Sequence, residues 1–285
     1  MNALLYKLLA GMILFFSCAS VNCIEKVYSC TDANGKIRFA DNKEKCNANI
    51  VELSYQKHRD VRTNYRYPLR SYVKQESVYN IYIESPESNV DVVAFKTATR
   101  KLNATLNKIF SILPVASQTC LKEIDFYIMI GDRAKLGGEN NILRYHPKVT
   151  DSTYSLHDKR WSHAIVIYDV DNFISLTKLW LHKTLTHELA HAWHIKDWSA
   201  NYQKSKDAWL ASRNASLYLS QRDLYGRLLK PAYASTNEVE YFADLSVMYF
   251  VDNDYYPFNR SELKAYDPVG FKLIESMWNI KDHKD

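Results

Sequence analysis

Glycine and proline are scarce in this chain, seven of each in 285 residues. That excludes collagen-like and low-complexity architectures, which need far more of both. Charge of one sign is not in excess either. Thirty-seven Lys and Arg stand against 32 Asp and Glu, a formal net charge of +5, so composition gives no reason to expect a nucleic-acid partner. No internal repeat is apparent, which sets solenoids aside. The apolar run from Leu8 to Phe16 is short for a membrane span. What is present is a globular composition, 47% apolar and 24% charged, with 21 tyrosines. The length suits one large domain and one small one.

Residues 1–23, MNALLYKLLAGMILFFSCASVNC, carry one early lysine, Lys7, then the apolar run, then Ser17, Cys18, Ala19 and Ser20. This is the layout of a secretory signal peptide, cleaved after Ser20 or after Cys23; an uncleaved anchor is the alternative. Phe15-Phe16-Ser17-Cys18 is a poor lipoprotein-type site because a bulky Phe precedes the small residue, so a lipid anchor is the weaker reading. The expected address is the periplasm or the medium, where cysteines pair. Cys30 and Cys46 flank a short segment and are the expected disulfide, whereas Cys23 and Cys120 stay unassigned.

Residues 24–50 read as a small β-hairpin module. Val27–Cys30 and Lys36–Phe39 are strand candidates around the turn residues Asp32-Ala33-Asn34-Gly35. So small a unit has little core, and a disulfide closing it would add stability. The pattern Tyr28-x-Cys30-x-Asp32-x-x-Gly35, then Phe39-x-Asp41 and Cys46, resembles a short domain of unknown role found behind signal peptides in bacterial envelope proteins. The resemblance implies an envelope address and an envelope partner for this module. Residues 51–75 read as a basic linker, whose stretch 56–74 carries Lys57, Arg59, Arg62, Arg66, Arg70 and Lys74 against one acid, Asp60. A solvated connector is the expectation, ahead of contact with an anionic surface.

The main domain is expected over 76–285. Val78–Ile83, Ile124–Ile130 and His163–Asp169 have strand patterns. Val92–Ile112, Leu176–Trp193 and Thr236–Phe250 have helical ones, and Asp267-Pro268 opens a last helix reaching about Trp278. Strands followed by helices predict an α+β fold. A free edge of a strand such as His163–Asp169 could pair with an extended peptide.

The chemistry is concentrated in LTHELAHAWH, residues 185–194. Residues i and i+4 of a helix differ by about 40° of rotation, so His187 and His191 project from one face, one turn apart. Two imidazoles so placed can bind one zinc ion, and Glu188 can face the open position where water sits. A third ligand is needed. The position six residues beyond His191 is Asp197, with His194 where a chain-turning Gly would stand. The helix is expected to run on and carry Asp197 away, leaving His194 on its surface or beside the ligands. The better source is 233–250, YASTNEVEYFADLSVMYF, where Glu240 and Asp244 lie four apart among apolar residues. One can bind the metal while the other accepts a hydrogen bond from a ligand imidazole.

A His-Glu-x-x-His helix followed some fifty residues later by a Glu-x-x-x-Asp helix resembles the gluzincin metallopeptidases. Tyr233-x-x-Thr236-Asn237-Glu238-x-Glu240-Tyr241-Phe242-Ala243-Asp244 resembles, more closely, the catalytic domain of anthrax lethal factor and its relatives. The resemblance implies a zincin-like domain with an active-site helix and a mixed sheet. It implies one Zn2+ held by His187, His191 and Glu240, with Glu188 and Tyr233 catalytic and Asp244 supporting a ligand. The expected function is a secreted or periplasmic zinc peptidase, a monomer acting on peptide or protein substrates. The alternatives are a non-catalytic zinc-containing envelope binder and a cell-wall peptide amidase; an intact Glu188 and Tyr233 favour an enzyme.

Overall fold

In this computed structural model the described residues are 26–31, 37–40, 50–54, 71–86, 88–130, 143–148, 158–196, 198–229 and 231–280. The chain divides into two compact units, 1–66 and 67–285.

The first unit holds β1 (Lys26–Thr31), β2 (Ile37–Ala40) and β3 (Ile50–Ser54), in the order β2-β1-β3 with both pairings antiparallel. The β1–β2 hairpin is the one expected. The third strand is a correction, because Ile50-Val51-Glu52-Leu53-Ser54 lies almost wholly in the stretch expected to be linker. Its alternation of apolar and polar residues suits a strand that β1 can pair on its second edge. The Cys30–Cys46 pairing lies outside the described residues, as does the signal segment.

The second unit is α+β. Its sheet combines β4 (Tyr72–Lys74), β5 (Asn80–Glu84), β6 (Asp125–Ile128), β7 (Leu143–His146) and β8 (Ala164–Ile167) in the order β4-β5-β6-β8-β7. β5, β6 and β8 run parallel, and the two outer strands are antiparallel to their neighbours. β4, like β3, falls inside the expected linker. β8 is an interior strand with all four residues buried, so the edge assigned to His163–Asp169 belongs instead to β7. Alternation along the strands feeds two apolar layers. Phe126, Ile128, Ile165 and Ile167 face the main core, while Tyr127, Met129, Ala164, Val166 and Tyr168 form a second cluster with Trp161.

The helices are α1 (Asn89–Phe110), α2 (Val115–Leu121), α3 (Val170–Ser175), α4 (Lys178–Lys196), α5 (Trp198–Asn214), α6 (Glu238–Phe250), α7 (Arg260–Tyr266) and α8 (Pro268–Met277). Ser88 caps α1 through a reciprocal bond with Asp91, and Phe95, Ala98, Leu102, Leu106 and Ile109 form its buried stripe. Between α5 and α6 lies a small hairpin, β9 (Gln221–Arg222) with β10 (Leu228–Leu229). Among the described residues no helix is long and apolar enough to cross a membrane. For function the decisive contact is α4 packed between α6 and β7. The buried residues of α6 run unbroken from Tyr241 to Tyr249, and α4 buries Thr186 and His187 between Leu185 and Leu189, so polar groups of both helices face the core.

Candidate metal centre

α4 presents His187 and His191 from one face, with their rings edge-to-face at 4.6 Å between centroids. α6 begins at an Asn237 cap, whose side-chain oxygen accepts from the Val239 and Glu240 amides at 2.9 Å each. That cap fixes Glu240 in the first turn and places Asp244 one turn later. Glu240 Oε2 then lies 3.0 Å from His187 Nε2 and 3.3 Å from His191 Nε2, and the two Nε2 atoms are 3.0 Å apart. Four tetrahedral ligands at zinc bond lengths are separated from one another by roughly 3.3 Å, so these three atoms have the spacing of one face of such a site. The donor set, two imidazoles and a carboxylate, also suits zinc over magnesium or calcium.

Electrostatics point the same way. Burial disfavours a charged His187, yet its hydrogen bonds to Asp244 and Glu240 outweigh that and raise it to about 10. Burial disfavours ionised Glu240 as well, but its bonds to His187 and His191 hold it well below the usual carboxylate range. The pocket therefore favours a positive charge among the three atoms.

Asp244 is 1% exposed and accepts from His187 Nδ1 at 3.0 Å. In the neutral ring this bond keeps the proton on Nδ1 and leaves the Nε2 lone pair to face the centre. The other oxygen of Asp244 accepts from the buried Tyr255 hydroxyl. Asp244 is depressed overall: burial pushes it up, while the bond to His187 and then the charges of His187 and Lys183 pull it down further. Lys183 itself pairs with Asp254. Neither Tyr255 nor Lys183 was foreseen. Lys183 stands four residues before His187 on the His187–His191 face and was visible by spacing. Tyr255 lies in DNDYYP, whose pattern offers no such signal.

Glu188 is fixed from the sheet side, with its Oε2 accepting from the Tyr145 backbone amide at 2.6 Å. The ligand atoms of His187, Glu188 and His191 all lie within 4.8 Å of one another. Tyr233 sits in a short 3-10 turn (Tyr233–Ser235), with its ring centroid 5.5 Å from that of His187. Its phenol is pushed up to about 12, by burial first and then by Glu240, Glu188 and Asp244, so it stays a proton donor at neutral pH. A cavity of about 360 Å³ is walled by α4, β7, Tyr233 and the start of α6.

The structure thus brings together His187, Glu188, His191, Tyr233, Glu240 and Asp244. α4 runs on through Lys196 as expected, and Asp197 lies outside the described residues. His194 is a correction. It is fully buried, not on the helix surface, and its Nε2 lies 2.9 Å from Ser205 Oγ of α5. Burial, with His191 adding to it, holds His194 down to about 4, so it is a neutral core residue. Of the two expected places, on the surface or beside the ligands, the surface is ruled out because Ser205 of α5 and the Phe242 ring of α6, 4.7 Å away between centroids, both pack against His194.

No protein-family model matches the chain, and neither curated proteins nor solved structures yield a match.

Proposed function

We propose that this chain is an exported zinc-dependent peptidase. The observation carrying the reading is the convergence of His187 Nε2, His191 Nε2 and Glu240 Oε2 within 3.3 Å of one another, with Glu188 and Tyr233 on the same cavity. When bound there, zinc supplies Lewis acidity and draws the pKa of water towards ~7.

The chain's own residues supply the rest. Glu188 takes a proton from the attacking water and passes it to the leaving amine. One of its oxygens is held by the Tyr145 amide, which orients the carboxylate. The protonated Tyr233 hydroxyl donates to the oxyanion that develops on the attacked carbonyl. Asp244 and Tyr255 hold the His187 ring in one orientation and one tautomer. An extended substrate lies along β7, the sheet edge that walls the cavity, and main-chain pairing of this kind tolerates many sequences.

The test is zinc analysis of the purified protein together with cleavage of an unstructured protein, with and without chelator. Stoichiometric zinc and chelator-sensitive cleavage are expected. Glu188→Gln should keep the metal and lose at least about 100-fold in rate. Bound zinc with no cleavage would replace this reading with a binding protein. Undiminished cleavage by Glu188→Gln would remove the proton-transfer role.

A further inference from the structure

The turn joining β9 to β10, Asp223-Leu224-Tyr225-Gly226-Arg227, is apolar at its centre, where turns are ordinarily polar. Its other residues do the folding. Asp223 is 6% exposed and accepts from the Tyr225 amide, the Arg227 amide and Arg227 Nε, at 2.6 to 2.9 Å. Gly226 takes φ 75°, a conformation that a side chain would strain. The Leu224 amide donates to the Asp254 carbonyl at 2.9 Å and the Tyr256 amide to the Arg222 carbonyl at 3.1 Å, which ties the hairpin to the segment after α6. This framework uses the backbone of Leu224 and Tyr225, and the two residues are left 52% and 82% exposed.

Two more exposed apolar residues adjoin the tip. Leu228, 48% exposed, lies opposite Arg222 in the β9–β10 register. Trp180, 43% exposed, stands in the first turn of α4. Lys183 Nζ sits 5.0 Å from the centre of its ring and pairs with Asp254, the residue whose carbonyl holds Leu224. Single exposed apolar residues are ordinary; four gathered about one projecting turn mark an interaction surface. Their charged neighbours leave a positive surplus. Lys183 and Arg227 each balance one acid, Asp254 and Asp223. Arg222 makes no ion pair among the described residues, and its guanidinium donates to the Gly226 carbonyl at 2.6 Å.

An apolar apex flanked by Tyr and Trp, with an uncompensated Arg behind it, has the chemistry of a bilayer interface. Aromatic rings settle at headgroup depth, leucines reach the acyl boundary, and arginine stems fold back towards anionic headgroups. A protein partner would need a groove shaped to this tip, whereas a fluid bilayer conforms to it. We propose that the β9–β10 tip is a peripheral membrane anchor, which sets Leu224, Tyr225, Leu228 and Trp180 into an anionic lipid surface. The assignment stands apart from the peptidase reading, and either can fail without the other.

The experiment titrates the full-length protein with vesicles of phosphatidylcholine, alone or with about one-third phosphatidylglycerol. The readout is quenching of Trp180 by lipids brominated near the headgroup, taken as the difference between the wild type and Trp180→Phe. Quenching by the anionic vesicles, weakened by salt, is expected. Leu224→Ser with Tyr225→Ser should raise the lipid concentration for half-quenching roughly 30-fold, and Arg222→Gln about fivefold. Val115→Ser, at a position 80% exposed on α2, should leave it unchanged. Asp223 and Gly226 are kept in all of these, so the turn is kept, and quenching in the wild type tests the placement with the hairpin intact. Binding through the apolar run Leu8–Phe16 would leave Trp180 unquenched. Vesicle binding without quenching, quenching that survives the double substitution, or no binding at all overturns the anchor. Equal binding to neutral vesicles overturns the anionic assignment. Self-association without lipid that the double substitution abolishes makes the tip a contact between copies and overturns the anchor as well.

Discussion

In the metal-free protein the three facing atoms of the centre are accommodated by a proton, and that proton can be counted. His187 is raised to about 10 by its bonds to Asp244 and Glu240, against the opposing effect of burial. At pH 7 it is therefore protonated almost completely, whereas a metal ligand must be neutral imidazole. Three pH units separate the two conditions, so proton competition weakens zinc binding at pH 7 by about 4 kcal/mol, or roughly a thousandfold, relative to pH 10. Two measurements follow. The apparent Kd, taken with a competing chelator, should tighten about tenfold per pH unit between pH 7 and 9. Calorimetry at pH 7 in two buffers of different ionisation enthalpy should show at least about one proton released per ion. An affinity flat across that range, with heat independent of the buffer, would refute the claim that His187 is a ligand clamped between two carboxylates.

The same shift sets the alkaline stability of the metal-free chain. A raised pKa means stabilisation fully present below the unfolded value near 6.5 and lost as pH rises through about 10. Unfolding by denaturant should show a loss on the order of 5 kcal/mol over that window without zinc, and little change with it; identical pH profiles would count against the assignment. Asp244→Asn keeps the shape but not the charge and should weaken zinc binding about 10- to 100-fold in the same competition assay. Unchanged affinity would show that His187 does not depend on it. Tyr233→Phe should lower kcat about 100-fold with KM little moved, since the hydroxyl acts on charge that exists only in the transition state; a rise in KM alone would make Tyr233 a binding residue.

The paired histidines were legible because their relation is local: i and i+4 on a helix have one geometry. Lys183 shares that relation. The strand patterns at Val78–Ile83, Ile124–Ile130 and His163–Asp169 were legible for the same reason, each matching a strand of the sheet to within a few residues. Strand order was not. Nothing within His163–Asp169 says that β7 pairs alongside it and takes the edge, and Leu-Arg-Tyr-His is too short to display alternation. α5 escaped because residues 198–214 mix apolar and polar positions with only a weak helical stripe. Missing it also left His194 with an open choice between surface and interior, since two of the neighbours that cover it, Ser205 of α5 and Phe242 of α6, lie outside its own helix.

The third member of the triad stands between these cases, because its position is set by a local feature acting through a non-local contact. Asn237 bonds the amides of Val239 and Glu240, which fixes where α6 starts and hence the direction of every later side chain. Glu240 and Asp244 then meet opposite nitrogens of one imidazole, Nε2 and Nδ1 of His187, each at 3.0 Å. A slip of one residue in α6 would rotate both carboxylates by about 100° and break both bonds together. The Asn-x-x-Glu-x-x-x-Asp spacing therefore encodes a clamp on a residue more than fifty positions earlier. Glu240 gains further from its place in the first turn, where the helix dipole favours an anion. The sequence displays the clamp's two jaws and the cap that aims them. Their target becomes visible only when α4 packs against α6.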